Sequence, residues 1–464
     1  MGDNLKNLEV LVASLEQLAG KLMLELGQAL RTLPGRRIVS RGRLIGVELD
    51  VVAKCFLPHP NQGRDWRREW QGLTNLQSSG LPVPSPYAVC RDDEGNIYVV
   101  MQYLEGATTL GKYLELATLD KSKALMATLA GLVDKLHGAG ARQMDQHVDN
   151  WAVVGESLYL LDAGTYRFGA SALSASDRCL DIAAICVSLP PYAEALFRSS
   201  LKLGPAASVI ESVILDVQKT RARRYYKKTQ RSCTEFIEYR EEGRKGMSLR
   251  SADSALTEDF FRDPESIMKL GLRLKSGNTC TVQAIEFGEK SYILKRYNRK
   301  PFVTQLRRSL FSSRARRSWS NACIMNLAFI PTAMPVAFLE IGNFPRNMAY
   351  LLMERIDGEL LPEYVARFRE DASLMKSLAQ EVGGVWDSLA RLRAVHGDLK
   401  ATNWIVSSTG EVYLFDLDSL CVGLSNRAYL RGRKKDMRRF LQNWASDPQL
   451  AEVFRKRMQG GDPS

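Results

Sequence analysis

At 464 residues the chain exceeds what one hydrophobic core ordinarily organises, so two domains are expected. Its 45% hydrophobic and 25% charged content is that of a soluble globular protein, and no run reaches the ~18 apolar residues that a membrane span requires. A formal net charge of +12, carried in clusters, points to an anionic partner. No zinc-finger, helix-turn-helix or paired-aromatic RNA-binding pattern accompanies that charge, so no nucleic acid is expected. Eight scattered cysteines without a CxxC pair, and only four histidines, argue against structural zinc and for reduced, mostly buried thiols in a cytoplasm.

No secretory signal is expected, and Lys6 stands where a myristoylation signal wants Ser or Thr. Leu8 to Leu30, broken by Glu16, Lys21 and Glu25 at helical spacing, is expected to form an amphipathic helix. Arg37 to Phe56 alternates as strands and ends in Val51-Val-Ala-Lys54-Cys-Phe, one lysine among apolar residues in a β-rich run. The stretch Arg64-Asp-Trp-Arg-Arg-Glu69-Trp70 then opens a helix from which Glu69 can pair with Lys54. The prolines of Leu81-Pro-Val-Pro-Ser-Pro end that helix. Ile97 to Gly106 reads as a strand leading into a hinge. Leu136 to Asp145 ends a further helix, Asn150 follows Asp145 by five residues, and Leu158-Tyr-Leu-Leu-Asp162-Ala-Gly164 supplies a strand and a second Asp.

From Lys219 to Lys245 the chain is basic and aromatic, and reads as a bridge. Beyond it Leu272 to Val282 places Ser276, Gly277, Asn278 and Thr279 in a turn between two strands, where backbone N–H groups can fold over a triphosphate. Ser291-Tyr-Ile-Leu-Lys295-Arg-Tyr-Asn298 repeats the lysine strand. Arg296, Arg299, Lys300, Arg307, Arg308, Arg314, Arg316 and Arg317 follow with no acidic residue between them, beside the expected cleft. Trp319 aligns with Trp70 and Pro331 with Pro82, which puts Ser318 where Glu69 stands. Leu351 to Gly358 repeats the hinge strand. Val395 to Leu420 then carries the strongest pattern in the chain: His396-Gly-Asp398, Lys400, Asn403 five residues after Asp398, and a strand ending in Asp416.

Phosphoryl transfer needs a carboxylate to orient the attacking hydroxyl and oxygen ligands to hold magnesium, and this spacing delivers both to one cleft. The pattern occurs twice, about 250 residues apart, which indicates duplicated domains rather than a solenoid. The expected fold is α+β: two tandem protein-kinase-like domains, each with a small β-rich lobe and a larger helical lobe. Residues 1–215 form the first, with the N-terminal helix, 216–260 a basic linker and 261–464 the second.

Leu274 to Val282, Lys295 to Asn298, Ser313-Arg-Ala-Arg-Arg-Ser-Trp319, His396 to Asn403 and Phe415-Asp416 together resemble the lipopolysaccharide kinases of Gram-negative bacteria. The resemblance covers nearly all of the second copy and the first more loosely. It implies ATP and Mg2+ as cofactors and an anionic glycolipid acceptor, the heptose or a related sugar of the lipopolysaccharide core. It also implies work at the cytoplasmic face of the inner membrane, with peripheral contact to the anionic surface. In the second copy Asp398 would orient the sugar hydroxyl, Lys400 neutralise the transferring group, Asn403 and Asp416 hold magnesium and Lys295 contact phosphates. Asp145, Asn150, Asp162 and Lys54, fixed by Glu69, are the counterparts. The first copy carries Gln143 in place of His396, and the second reads Asp416-Leu-Asp418 where most kinases have a glycine. A protein or small-molecule kinase of the same fold, a pseudokinase scaffold and a basic nucleic-acid-binding protein are the other readings.

Overall fold

The computed structural model describes residues 5–14, 18, 21–201, 208–277, 279–298, 313–342 and 348–459. They form a mixed α+β chain that divides into two compact units, Met1–Val217 and Gln218–Ser464. The helix Ile210–Lys228 runs through the division.

In the first unit a closed barrel runs Leu5–Ala13, Lys21–Leu33, Arg37–Ile45, Leu49–Phe56, Ile97–Gln102 and Pro86–Arg91. The amphipathic helix expected over Leu8 to Leu30 is instead the first two of these strands, paired antiparallel with Leu8 opposite Leu22. The physical reason is the period: Leu22 and Leu24 are buried while Met23 and Glu25 face out, an alternation that fits a pleat and no helix. Pairing of Leu5–Ala13 with Pro86–Arg91 closes the barrel and removes both sheet edges.

The same alternation aims Lys54. Val51, Ala53 and Cys55 fill the barrel with Leu24 and Val100, so Val52, Lys54 and Phe56 emerge on the opposite face, against which the helix Gln62–Ser78 packs Leu73 and Leu76. Below lie the long helix Leu119–Gly138, N-capped by Thr118, and a small three-stranded sheet that contains Trp151–Val154 and Ser157–Leu160.

The second unit carries a seven-stranded antiparallel sheet ordered Phe236–Glu241, Arg244–Leu249, Pro335–Ile341, Met348–Glu354, Lys290–Tyr297, Cys280–Phe287 and Leu272–Ser276. The stretch 216–260, expected as a linker, therefore contributes two strands, and its helix Ser254–Arg262 packs Leu256, Phe260 and Phe261 on one sheet face. Gly246 makes the strand pairing possible, since a Cβ there would stand 2.4 Å from the Phe338 carbonyl oxygen. The opposite face receives the helix Arg314–Leu327 through Trp319 and Cys323. A helical body follows, Ala372–Arg391, Asn426–Leu441 and Pro448–Gln459, packed around Trp386, Trp404, Phe440 and Phe454. A three-stranded sheet of Gly358–Leu360, Trp404–Ser407 and Val412–Leu414 sits in it. Among the described residues no helix is long and apolar enough to cross a membrane. Six of the eight cysteines are buried thiols.

Candidate active site

In the second unit the hairpin Trp404–Ser407/Val412–Leu414 brings Asn403 and Asp416 to the same end of two paired strands, with Trp404 opposite Leu414. Asp416 is then left-handed, φ 61° and ψ 53°, and Asp162 takes the same conformation in the first unit at φ 54°. A non-glycine residue held there costs about 1–3 kcal/mol and persists only when its surroundings enforce it, which marks both aspartates as functional candidates.

Lys295 Nζ lies 2.5 Å from Asp416 Oδ1, and the lysine is only 9% exposed. Burial works to lower its pKa, but Tyr297 and Asp416 outweigh that and hold it above the ordinary lysine value. Burial likewise works against the Asp416 charge, and Lys295, Arg314 and His396 reverse it, so the carboxyl sits below its usual range. Asn403 is buried and donates from Nδ2 to the Asp398 carbonyl oxygen at 2.8 Å, which commits its amine and leaves the amide oxygen as the ligand atom. Asp398 is half-buried, with Arg439 at 2.5 Å from Oδ1 and Lys400 Nζ at 3.5 Å from Oδ2.

Lys295, Lys400, Asn403 and Asp416 line a cavity of about 480 Å³ whose walls include Val282, Ile293, Leu351, Met353 and Ile405. An apolar slot ending in a lysine, an amide and a carboxylate suits a flat heterocycle with a phosphate chain. No cluster of three or more carboxylate, histidine or cysteine ligands occurs among the described residues. One carboxylate and one amide oxygen, completed by phosphate oxygens, is nevertheless a donor set that magnesium accepts.

Ser276, Gly277 and Thr279 form the expected turn, tied by Gly277 N–H to the Cys280 carbonyl at 3.2 Å and by Asn298 Nδ2 to the Gly277 carbonyl at 2.7 Å. The cavity wall beside it comes from Leu274, Lys275 and Cys280. Asn278 lies outside the described residues, as do Arg299, Lys300, Arg307 and Arg308. The rest of that basic run is less free than the sequence suggests. Arg296 pairs with Glu265, Arg316 with Glu340 at 2.8 Å, and Arg314 with Asp418, carboxylates supplied from other parts of the chain.

Two residues that sequence reasoning missed hold the catalytic-loop candidate. Asp436, buried on the helix Asn426–Leu441, accepts from His396 N–H at 2.7 Å and Gly397 N–H at 3.1 Å; Arg439, one turn on, reaches Asp398. His396 is fully buried and its Nε2 meets the Phe415 carbonyl oxygen at 3.0 Å, so it joins the two loops. A lone acid in the basic run 427–439 was the only trace of this in the sequence.

The first unit assembles the corresponding group. Lys54 Nζ stands 2.7 Å from Glu69 Oε2 and 2.5 Å from Asp162 Oδ1, and Glu69 accepts the Gly164 N–H at 3.1 Å. Burial is again opposed by Lys54, then by Arg37, and the Asp162 carboxyl is driven below its usual range. Asn150 Nδ2 donates to the Asp145 carbonyl oxygen at 2.7 Å, as Asn403 does to Asp398. Asp145 is exposed beside a cavity of about 360 Å³ lined by Arg68, Gly72, Gly164 and Arg167. Gln143, where the second unit has His396, is buried, and neither of its amide atoms is bonded among the described residues.

No curated protein matches the chain. A family model does match the second unit, over residues 273–454, which span Ser276, Lys295, Asp398, Asn403 and Asp416. Its description implies phosphotransferase chemistry and a lipopolysaccharide-related substrate. The stretch that carries the cavity and its charged end is thus similar to the Lipopolysaccharide kinase (Kdo/WaaP) family, the family that the sequence motifs resemble.

Proposed function

We propose that the second unit transfers a phosphoryl group from ATP to a hydroxyl of an inner-core, heptose-type sugar of lipopolysaccharide, at the cytoplasmic face of the inner membrane. The observation that carries the reading is the pair of buried Lys295 with half-buried Asp416 at the end of an apolar cavity that Asn403 and Lys400 also line. Bound ATP with Mg2+ supplies the activated phosphoryl group. Lys295 would hold its phosphates, and Asn403 and Asp416 the ion. Asp398 would orient the acceptor hydroxyl and take its proton, with Lys400 across from it to offset charge on the transferring group. Ser276, Gly277 and Thr279 would close over the phosphates.

An anionic acceptor also fits the helix Asn426–Leu441. Arg427, Arg431, Lys434, Lys435 and Arg438 are exposed along it, beside a groove of about 620 Å³ floored by Met437, Leu441 and Trp444. Such a face suits an acidic glycolipid or the acidic membrane surface that contains it.

In this reading the first unit is a second kinase-like domain in tandem. Lys54, Glu69, Asn150 and Asp162 would engage nucleotide and metal there, and Asp145 would be its base. Gln143 favours a supporting over a catalytic role for that unit, because a buried amide without partners cannot brace its loop as His396 does.

A positioned base contributes about 10²–10⁴-fold. Asp398→Asn in the full chain is expected to lower kcat by that factor in a Mg2+-dependent ATP assay on purified core oligosaccharide, with Asp145→Asn changing it less than 3-fold. Equal loss in both variants would make both units catalytic, and an unimpaired Asp398→Asn would move the chemistry to Asp145.

A further inference from the structure

Resting on the reading of the second unit as a phosphotransferase, the structure accounts for a residue it lacks. In the first unit the helix Gln62–Ser78 reaches the lysine and the metal loop through Glu69, which accepts from Lys54 and from Gly164 N–H. A Cβ at Gly164 would press on that contact, standing 2.8 Å from Glu69 Oε2 and 3.2 Å from Glu69 N. The second unit reverses four positions at once. Ser318 replaces Glu69, Asp418 replaces Gly164, Tyr297 replaces Phe56, and Arg314, one turn before Ser318, stands where the first unit has Asp65.

These exchanges fit one another. Tyr297 extends its hydroxyl to Ser318 Oγ at 2.9 Å and fills the space a glutamate would take. The carboxylate now belongs to the loop, as Asp418, and the helix supplies the cation, as Arg314, joined in a salt bridge. Asp418 is 7% exposed, and its charge adds to the field that keeps Lys295 protonated. Arg314 also donates to the Thr279 carbonyl oxygen at 3.3 Å and stacks over the Tyr297 ring at 4.9 Å, a ring that Lys295 approaches from 5.0 Å. Asn321, on the same helix, donates to the carbonyl oxygens of Leu417 and Leu420 at 2.8 and 3.0 Å and fixes the loop on either side of Asp418.

We infer that Arg314 and Asp418 are positioning residues that do for the second unit what Glu69 does in the first, with the carboxylate moved from the helix to the loop and a cation placed on the helix. Arg314 ties the turn over the phosphates, the helix and the metal loop at one point, so Asp416 is held against Lys295 from the loop side rather than from the helix. The missing helix glutamate is therefore no sign of a dead site.

The test uses the full chain and two readouts. Arg314→Ala and Asp418→Asn are each expected to cut kcat at least 10-fold with KM for the core oligosaccharide within 3-fold. Each is also expected to raise at least 5-fold the Mg2+ concentration needed for half of the ATP-induced thermal shift. Asp418→Gly should fail likewise, and Tyr297→Phe/Ser318→Glu/Asp418→Gly, which clears the space for the glutamate and rebuilds the arrangement of the first unit, should recover most of the Mg2+ response. Folded variants with wild-type Mg2+ dependence, or a triple variant no better than Asp418→Gly, would overturn the inference. The Mg2+ arm needs no acceptor: wild type that shows the shift but never labels the oligosaccharide would refute the substrate reading alone.

Discussion

A buried ammonium has to be answered by carboxylates, and the two lysines of this chain are answered unequally. Lys54 meets Glu69 and Asp162 at bonding distance, whereas among the described carboxylates Lys295 meets Asp416 alone, with Arg314 as a second cation beside Asp416. Truncation therefore has different consequences. Lys54→Ala takes the ammonium from two carboxylates, buried Glu69, which keeps the Gly164 N–H, and part-buried Asp162, which keeps Arg37 at 3.6 Å, and is expected to destabilise the first unit by about 3–5 kcal/mol. Lys295→Ala leaves one that Arg314 still faces, and about 1–3 kcal/mol is expected. Urea midpoints at unchanged slope measure both, and equal shifts would contradict the geometry. The pH dependence follows from the same pairs. Burial alone would raise Asp162 and Asp416, but Lys54 and Lys295 bring both below the ordinary range. Their stabilisation is complete above an unfolded value of roughly 3.9 and fades as pH falls through the lower folded values. Lys295 has the opposite sign: raised in the fold, its contribution is full below roughly 10.4 and is lost only as pH climbs through the folded value. The activity profile is thus expected to show no loss of the Lys295 proton below pH ~10, and Lys295→Arg should leave any alkaline limb beneath that pH in place.

Elements carry the charged groups only as well as they pack. The helix Gln62–Ser78 passes so close to the loop after Asp162 that a Cβ on Gly72 would stand 2.1 Å from the Ala163 carbonyl oxygen. Alanine is the better helix former by about 1 kcal/mol. A backbone clash in a closed interior outweighs that gain, so Gly72→Ala is expected to cost about 1–3 kcal/mol and to spread Glu69 from Gly164. Thermal unfolding together with loss of protection at the Gly164 amide in hydrogen exchange would check it. Where such elements lay along the chain was legible in some stretches and not in others. The Lys54 and Lys295 strands, the hairpins before Asp162 and Asp416, and the Asp-x-x-x-x-Asn loops are short contiguous patterns whose chemistry is local. The first strands were misread because polar residues between Leu8 and Leu30 satisfied a helical period by chance, while the burial of Leu22 and Leu24 depends on pairing across the barrel. The partners Asp436, Arg439 and Asp418 act over 40 to 104 residues of separation and leave no periodic trace. An alignment that puts Ser318 where Glu69 stands shows no replacement for the glutamate, because the carboxylate of the second unit stands on another element, as Asp418.

At the scale of the whole chain the charge of +12 is what distinguishes the protein from an ordinary kinase-sized globule. Arg296, Arg314, Arg316 and Arg439 pair with carboxylates and so add nothing to that excess, and Arg433 is buried over the Trp386 ring at 3.8 Å. Among the described residues a concentrated, exposed part of the charge is the face of Arg427, Arg431, Lys434, Lys435 and Arg438, on the very helix whose Arg439 touches Asp398. Exposed cations act through solvent, so their influence on an anionic acceptor is long-ranged at low salt and shrinks within a Debye length of about 10 Å at 0.1 M. Arg431→Glu/Lys434→Glu/Lys435→Glu replaces three positive charges by three negative ones without touching the cavity. At ~50 mM salt it is expected to raise KM for an anionic core acceptor about 10-fold or more, and at ~0.5 M the ratio to wild type should fall toward unity. With a neutral sugar acceptor the same variant should match wild type at both salt concentrations. A salt-independent loss would instead mean that the substitutions had disturbed the Asp436 anchor beneath them, which circular dichroism and the affinity for ATP would reveal.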